Sequence, residues 1–452
     1  MGESDLIMKI IDKLKKLIDL WRKPDQFSFI QPQYFVSEKE MNELRHIIAE
    51  MPEDTVAQFE QEIAKVIGDG QAVAMASARM SFYSLLLAIN IEAEDEVIIP
   101  AFTCSVMVNS ILRAGATPVY CDINESTMGP DPKDIKEKTT SRTKMIVAQH
   151  SFGIPCEIKE IVEFAHKNNI FLLEDSAITF DSIYHGISVG NWGDAAIFSM
   201  DHNKPLNTLI GGILYSKNPV LINKVRGIQE NIMSLSDLHQ IKLYDQLKKE
   251  WKYMYPNKWS KNLLKELIKG KVTETLVKLH VISGSASVFL TNEYRNPAFN
   301  YKNDYPYPAK YPPFLAKLGM YCLREWGNEK DRRVHFLKQC INIFIQNKKD
   351  HLLPKAYFDA NIDIVPLRLI FTCSNTEEIK LRLSKVINVY EFWFLLPIVM
   401  CPDPLETLGY NSGDCPESEK IGRSIINIPC NIVPGWEERL IDILDKIVPL
   451  LR

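Results

Sequence analysis

The stretch Leu172–Gly212, LLEDSAITFDSIYHGISVGNWGDAAIFSMDHNKPLNTLIGG, holds the densest pattern in this 452-residue chain. The apolar run Ile170-Phe171-Leu172-Leu173 closes on two acids, Glu174 and Asp175, and a second apolar run ends at Phe198-Ser199, with Lys204 five positions later. A short apolar run bounded by polar or turn-forming residues reads as a buried strand. An aspartate at a strand's carboxyl end can pair with a protonated ring nitrogen, and a lysine amine can form an imine with an aldehyde. Most Asp and Lys residues are solvated surface groups, so this pair gains meaning only from its surroundings.

Upstream, the same punctuation repeats. Asp95-Glu96-Val97-Ile98-Ile99-Pro100, Thr117-Pro118-Val119-Tyr120-Cys121-Asp122 and Thr143-Lys144-Met145-Ile146-Val147-Ala148 read as strands. Helical patterns separate them, Thr103 to Ala114 closed by Gly115 and Ile158 to Asn168. Alternating strand and helix from about residue 55 to 215 predicts an α/β fold around a mostly parallel sheet. Ligand groups then gather at the carboxyl ends of the strands. No internal repeat is visible, which excludes a solenoid.

Composition narrows the class. With 46% hydrophobic and 24% charged residues the chain is an ordinary globular protein, long enough for two lobes. A net charge of −4 gives no general reason to expect nucleic acid. Nine cysteines form no C-x-x-C pair and no Cys/His cluster, which predicts reduced thiols, no metal site and a cytoplasmic protein. No uninterrupted apolar run approaches a membrane span and MGESDLIMK lacks a secretory layout. Leu6, Ile7, Ile10, Ile11, Leu14, Leu17, Ile18 and Trp21 nevertheless form one apolar stripe flanked by lysines. Residues 1–25 are therefore an amphipathic helix, which ordinarily docks on its own domain or a second subunit and could also lie on a membrane surface.

The motifs around Lys204 resemble the DegT/DnrJ/EryC1/StrS family of pyridoxal-phosphate-dependent sugar aminotransferases. The matching features are Glu174-Asp175-Ser176-Ala177, the spaced Gly186, Gly190, Gly193, Asp194, Phe198 and Ser199, Lys204 itself, and Gly211-Gly212. Asp95 to Thr103, Arg113 to Val119, Pro313-Phe314-Leu315-Ala316 through Arg332-Arg333, and Cys415 through Pro429 extend the likeness in order.

The resemblance implies a fold-type-I architecture: a three-layer αβα large domain, residues 26–217, and a smaller C-terminal α/β domain, residues 306–452. Residues 218–305, where the likeness fades, form an insertion with Lys248-Lys249-Glu250-Trp251-Lys252-Tyr253-Met254-Tyr255 and Lys258-Trp259-Ser260-Lys261. It further implies pyridoxal phosphate as cofactor, held by Lys204, with Asp175 on the pyridine nitrogen. Ser199 and the N–H groups of Ala78 and Arg79, opening the helix Met80 to Ala88, bind the phosphate. His150 matches a family histidine and His202 stands two places before the lysine. Asn300, Asn303 or Lys310 reach the neighbouring cofactor in a homodimer. The implied reaction moves an amine from a donor, glutamate, to a keto group on a nucleotide-linked sugar.

Three positions depart from the family. Ala78-Arg79 replaces Gly-Thr, so a hydroxyl is lost and the Arg79 charge is expected to compensate. Cys104, with Phe102 two residues earlier, occupies the place of an aromatic that stacks on the cofactor. Ile178 stands where a Gln or His contacts the cofactor's phenolic oxygen, and an apolar side chain cannot make that hydrogen bond. These departures and the insertion leave two alternatives open: the same chemistry on a non-sugar or lipid-linked substrate, and a non-catalytic scaffold of the same fold.

Overall fold

The computed structural model describes residues 29, 33–50, 52, 54–253, 289–290, 292–299 and 305–452. The stripe of residues 1–25, the run Lys258 to Lys261, and Asn300 and Asn303 lie outside these residues. Helices α1 (Glu38–Glu50) and α2 (Asp54–Ile67) precede β1 (Gln71–Met75) and α3 (Ala78–Ala88). Strand and helix then alternate through β2 (Glu96–Pro100), α4 (Ser105–Arg113), β3 (Thr117–Cys121), α5 (Pro132–Lys138), β4 (Thr143–Gln149), α6 (Ile158–Lys167) and β5 (Phe171–Asp175). The opening stretch supplies β6 (Ala195–Ser199) and β7 (Gly212–Ser216). Helices α7 (Pro219–Asn231) and α8 (Asp237–Tyr253) flank the edge strand β8 (Met233–Ser234), and β9 (Ala309–Lys310) lies on the same edge.

These strands make one nine-stranded sheet, β8-β9-β1-β7-β6-β5-β4-β2-β3. From β3 to β6 the neighbours are parallel, and β7 runs antiparallel to both β6 and β1. Strand side chains alternate between faces. Val97, Ile99, Met145, Val147 and Leu173 therefore enter one core. Ile98, Ile146, Ala148 and Leu172 enter the other, under α5 and α6. Burial on both faces is what makes these strands near-continuous apolar runs, and it defines an αβα three-layer fold.

The C-terminal part is built on α9 (Pro313–Gln346) and the antiparallel pair β10 (Arg368–Thr372) and β11 (Ile425–Pro429), with α10 (Thr376–Leu383), α11 (Pro416–Ser424) and α12 (Glu437–Ile447). Phe314, Leu315, Leu318 and Trp326 of α9 belong to the large core, whereas Phe336, Leu337 and Phe344 belong to the smaller one. The change of core thus falls inside one helix, well beyond residue 306. Leu221, Val225, Leu243 and Leu247 of α7 and α8 likewise pack in the large core. Asp122, at the end of β3, ties the two parts together by accepting from the Glu417 N–H and from the Ser418 N–H and hydroxyl.

Candidate active site

The carboxyl ends of β4, β5 and β6, the start of α3 and the small domain enclose a cleft of about 250 Å³. Ala78, Arg79, Cys104, Asp175, Ile178, Ser199, His202 and Lys204 all line it, as do Gln149, Asp201, Asn203, Tyr294, Trp393 and Phe394.

Glu174 explains the glycine spacing that precedes the lysine. Its fully buried carboxylate accepts the Gly190 N–H at 2.7 Å, the Trp192 N–H at 2.7 Å and the Gly193 N–H at 2.8 Å. A Cβ on Gly193 would stand 2.7 Å from the Leu172 carbonyl oxygen, so only glycine lets this loop approach the strand. His150 completes the clamp, with Nε2 3.0 Å from Glu174 and Nδ1 accepting the Cys156 N–H. Because Nδ1 is an acceptor, Nε2–H is the donor to Glu174. His150 is not among the cleft residues; Gln149, the last residue of β4, is. Gln149 donates to the Phe102 carbonyl at 2.5 Å and to the Ser151 hydroxyl.

Asp175 is 3% exposed and accepts the Ala177 N–H at 2.9 Å. Burial raises its carboxyl, while the Ala177 N–H, Lys204 and His150 pull in the other direction. For Lys204, burial depresses the ammonium below the usual lysine range; Asp201 and Asp175 oppose this and Arg368 adds to it. Its Nζ lies 4.5 Å over the Trp393 ring. Burial would raise the Asp201 carboxyl, yet His202, Lys204 and Arg79 hold it well below the usual range. His202 Nδ1 is 2.5 Å from that carboxylate.

At the start of α3, Ser77 caps the helix by accepting from Met80, which leaves the first N–H groups of the helix to whatever occupies the cleft. The Ser199 hydroxyl faces the same space and accepts the Asp201 N–H at 3.5 Å. Gly212 lies so close to Ala78 that a Cβ would strike the backbone nitrogen. Gly212→Ala is therefore expected to push β7 from α3, destabilising the fold by about 1–3 kcal/mol. A thermal melt checks this, and weaker phosphate retention should accompany it.

The Arg79 guanidinium points elsewhere. It is 7% exposed, paired with the Glu293 carboxylate and bonded to the Leu290 carbonyl. Its charge is thus spent on Glu293 and Leu290, and Leu290 lines the cleft. Phe102 is fully buried, stacked on Phe394 at 4.9 Å and 7°, and is not among the lining residues. Ile178 sits in the same apolar cluster, beside Phe152 and Phe394. Lys310 pairs with Met75 on one side and Ser234 of the edge strand β8 on the other, and does not line the cleft. Phe289, Tyr294, Trp393 and Phe394 give the cleft an aromatic lining at positions with no local motif. Among the described residues, no group of three or more His, Cys, Asp or Glu is placed to hold a metal ion.

An aldehyde-reactive amine, a carboxylate for a ring nitrogen, and a helix terminus with a hydroxyl for a phosphate are the donor set pyridoxal phosphate requires, and the residues present fit it. The fold is that of the fold-type-I pyridoxal-phosphate transferases. Residues 37–245 match the model of the DegT/DnrJ/EryC1/StrS aminotransferase family. It is similar to GDP-perosamine synthase of Escherichia coli O157:H7, 35% identical over 37% of this chain and 46% of that protein. A second relative is the dTDP-4-dehydro-2,3,6-trideoxy-D-glucose 4-aminotransferase of Saccharopolyspora spinosa, 32% identical over 37% of this chain and 44% of that one. The chain spans about half the length of the curated relatives it matches. Among solved structures, an aminotransferase from Psychrobacter cryohalolentis superposes with a TM-score of 0.66 at 17% identity, covering 92% of this chain and 98% of that one.

Proposed function

We propose that this protein is an aminotransferase that moves an amino group from glutamate to a keto group on a nucleotide-linked sugar. The observation that carries the reading is the shared cleft of Lys204, Asp175, Ser199 and the start of α3. Pyridoxal phosphate, when bound, supplies an aldehyde for the amine and a ring that takes up electrons from the amine-bearing carbon. Lys204 is suited to attack and then to carry a proton, because burial enlarges the fraction of its amine that is neutral near pH 7. Asp175 keeps the ring nitrogen protonated. Ser199 and the Ala78 and Arg79 N–H groups hold the phosphate. Ile178, Phe394 and Trp393 exclude water from one wall.

The named relatives support the sugar acceptor, since one is a dTDP-dehydro-sugar 4-aminotransferase. We further read the enzyme as a cytoplasmic homodimer with the site at its interface. The nine cysteines, free in the structure, agree with a reducing compartment. No helix of the described residues is long and apolar enough to cross a membrane. The test is a half-reaction: the protein loaded with pyridoxal phosphate should change spectrum with glutamate and be restored by one of a panel of nucleotide keto-sugars. Silence with glutamate and every sugar overturns the reading.

A further inference from the structure

The Lys204 ammonium has an unusual neighbour. Its Nζ lies 4.5 Å over the Trp393 ring, and the Arg368 guanidinium lies 3.4 Å from the same ring and 4.1 Å from that of Phe29. Arg368 is 1% exposed. It donates to the Glu391 carbonyl at 2.9 Å and to Asn427 Oδ1 at 2.5 Å. The same Asn427 oxygen accepts the Trp393 N–H, and the Asn427 amide donates to the Trp393 carbonyl. The tryptophan is thus held by its backbone on β11 and backed by an arginine from β10, both in the small domain, while its ring reaches the lysine of the large domain.

We infer that Trp393, braced by Arg368 and Asn427, is a positioning residue that holds the Lys204 amine in the cleft and ties it to the small domain. A ring face attracts a cation, so Trp393 favours the protonated amine. Arg368, a like charge beyond the ring, disfavours it. The other groups facing Lys204 are Asp201 and His202 on its own loop, Asp175 from β5, Cys104 before α4 and Arg79 from α3. Asn427 bonds both Arg368 and Trp393; removing the ring that attracts the cation and removing the like charge should move the lysine in opposite directions. That opposition separates positioning from a role in packing alone, which would lower stability without a signed effect on titration.

The experiment is acylation of the full chain, freed of carbonyl compounds, with an amine reagent at a series of pH values, reading Lys204 modification by peptide mass spectrometry. Trp393→Leu should lower the midpoint by roughly half to one pH unit. Arg368→Met should raise it by a few tenths or more, and Trp393→Phe should stay near the native value. Should Arg368→Met fail to melt cooperatively, the Leu and Phe variants at position 393 carry the comparison. Folded variants whose midpoints do not move, or move the same way, overturn the inference. The importance of the amine rests on the proposed reaction, but this readout does not. If pyridoxal phosphate fails to protect native Lys204 from acylation, the proposed function is overturned and the titration result stands.

Discussion

Lys204→Ala should erase the absorbance at the violet edge of the visible that native protein acquires with pyridoxal phosphate. It should also slow amino transfer by roughly 10⁴-fold, the upper end of what a positioned acid–base group contributes. Two losses combine at one residue, because in the proposed reaction the amine that attaches the cofactor is also the group that moves the proton. Lys204→Arg sharpens the comparison: it keeps a positive charge in reach of Asp201 and Asp175 and fills similar volume, yet a guanidinium cannot serve as that nucleophile. Both variants should melt close to the native protein, since among the described residues no carboxylate lies within ion-pair distance of Lys204. Absorbance retained in either one would remove Lys204 from its assigned role. Phosphate binding should survive, because Ser199 and the α3 terminus are untouched.

The largest stability effect is expected at Glu174. Its carboxylate accepts three backbone N–H groups and His150 with no exposure to water. Glu174→Ala strands all four donors, and each buried donor left unpaired costs about 1–3 kcal/mol, with incomplete additivity. A loss of about 4 kcal/mol or more is expected in a denaturant melt. Glu174→Gln keeps one acceptor but turns an amide NH2 toward donors, so it should fall between native and alanine. A change under about 0.5 kcal/mol in the alanine variant would show that the loop from Gly186 to Gly193 is held by other means. Because that loop leads directly into β6 and Ser199, cofactor retention should fall together with stability.

Much of this was legible in the chain itself. Glycine, acid and apolar punctuation located β5, β6, β7 and Lys204, because turns and buried strands leave local composition signals. Gln149 was hidden for a local reason: β4 is buried on both faces, so no polar alternation marks which of Gln149 and His150 faces the cleft. The strand also runs one residue past the expected Ala148, and that residue is the one on the cleft. Arg79 was misread through distance. Its partners Glu293 and Leu290 lie more than 200 positions downstream, and no spacing rule links them. Trp393 and Phe394 were invisible for the same reason, as aromatics in a loop whose neighbours are set by domain packing alone.

The helix α9 carries one more implication. A single unbroken rod of 34 residues contributes side chains to both cores. Swinging one lobe away from the other along this connection would bend a continuous hydrogen-bonded ladder, which has no proline inside it beyond the first turn. The molecule is better pictured as a vice with a welded spine than as jaws on a pin. The shared helix thus favours a nearly constant distance between the lobes, with Leu290, bonded to Arg79, and the ring of Trp393 among the parts that line the cleft.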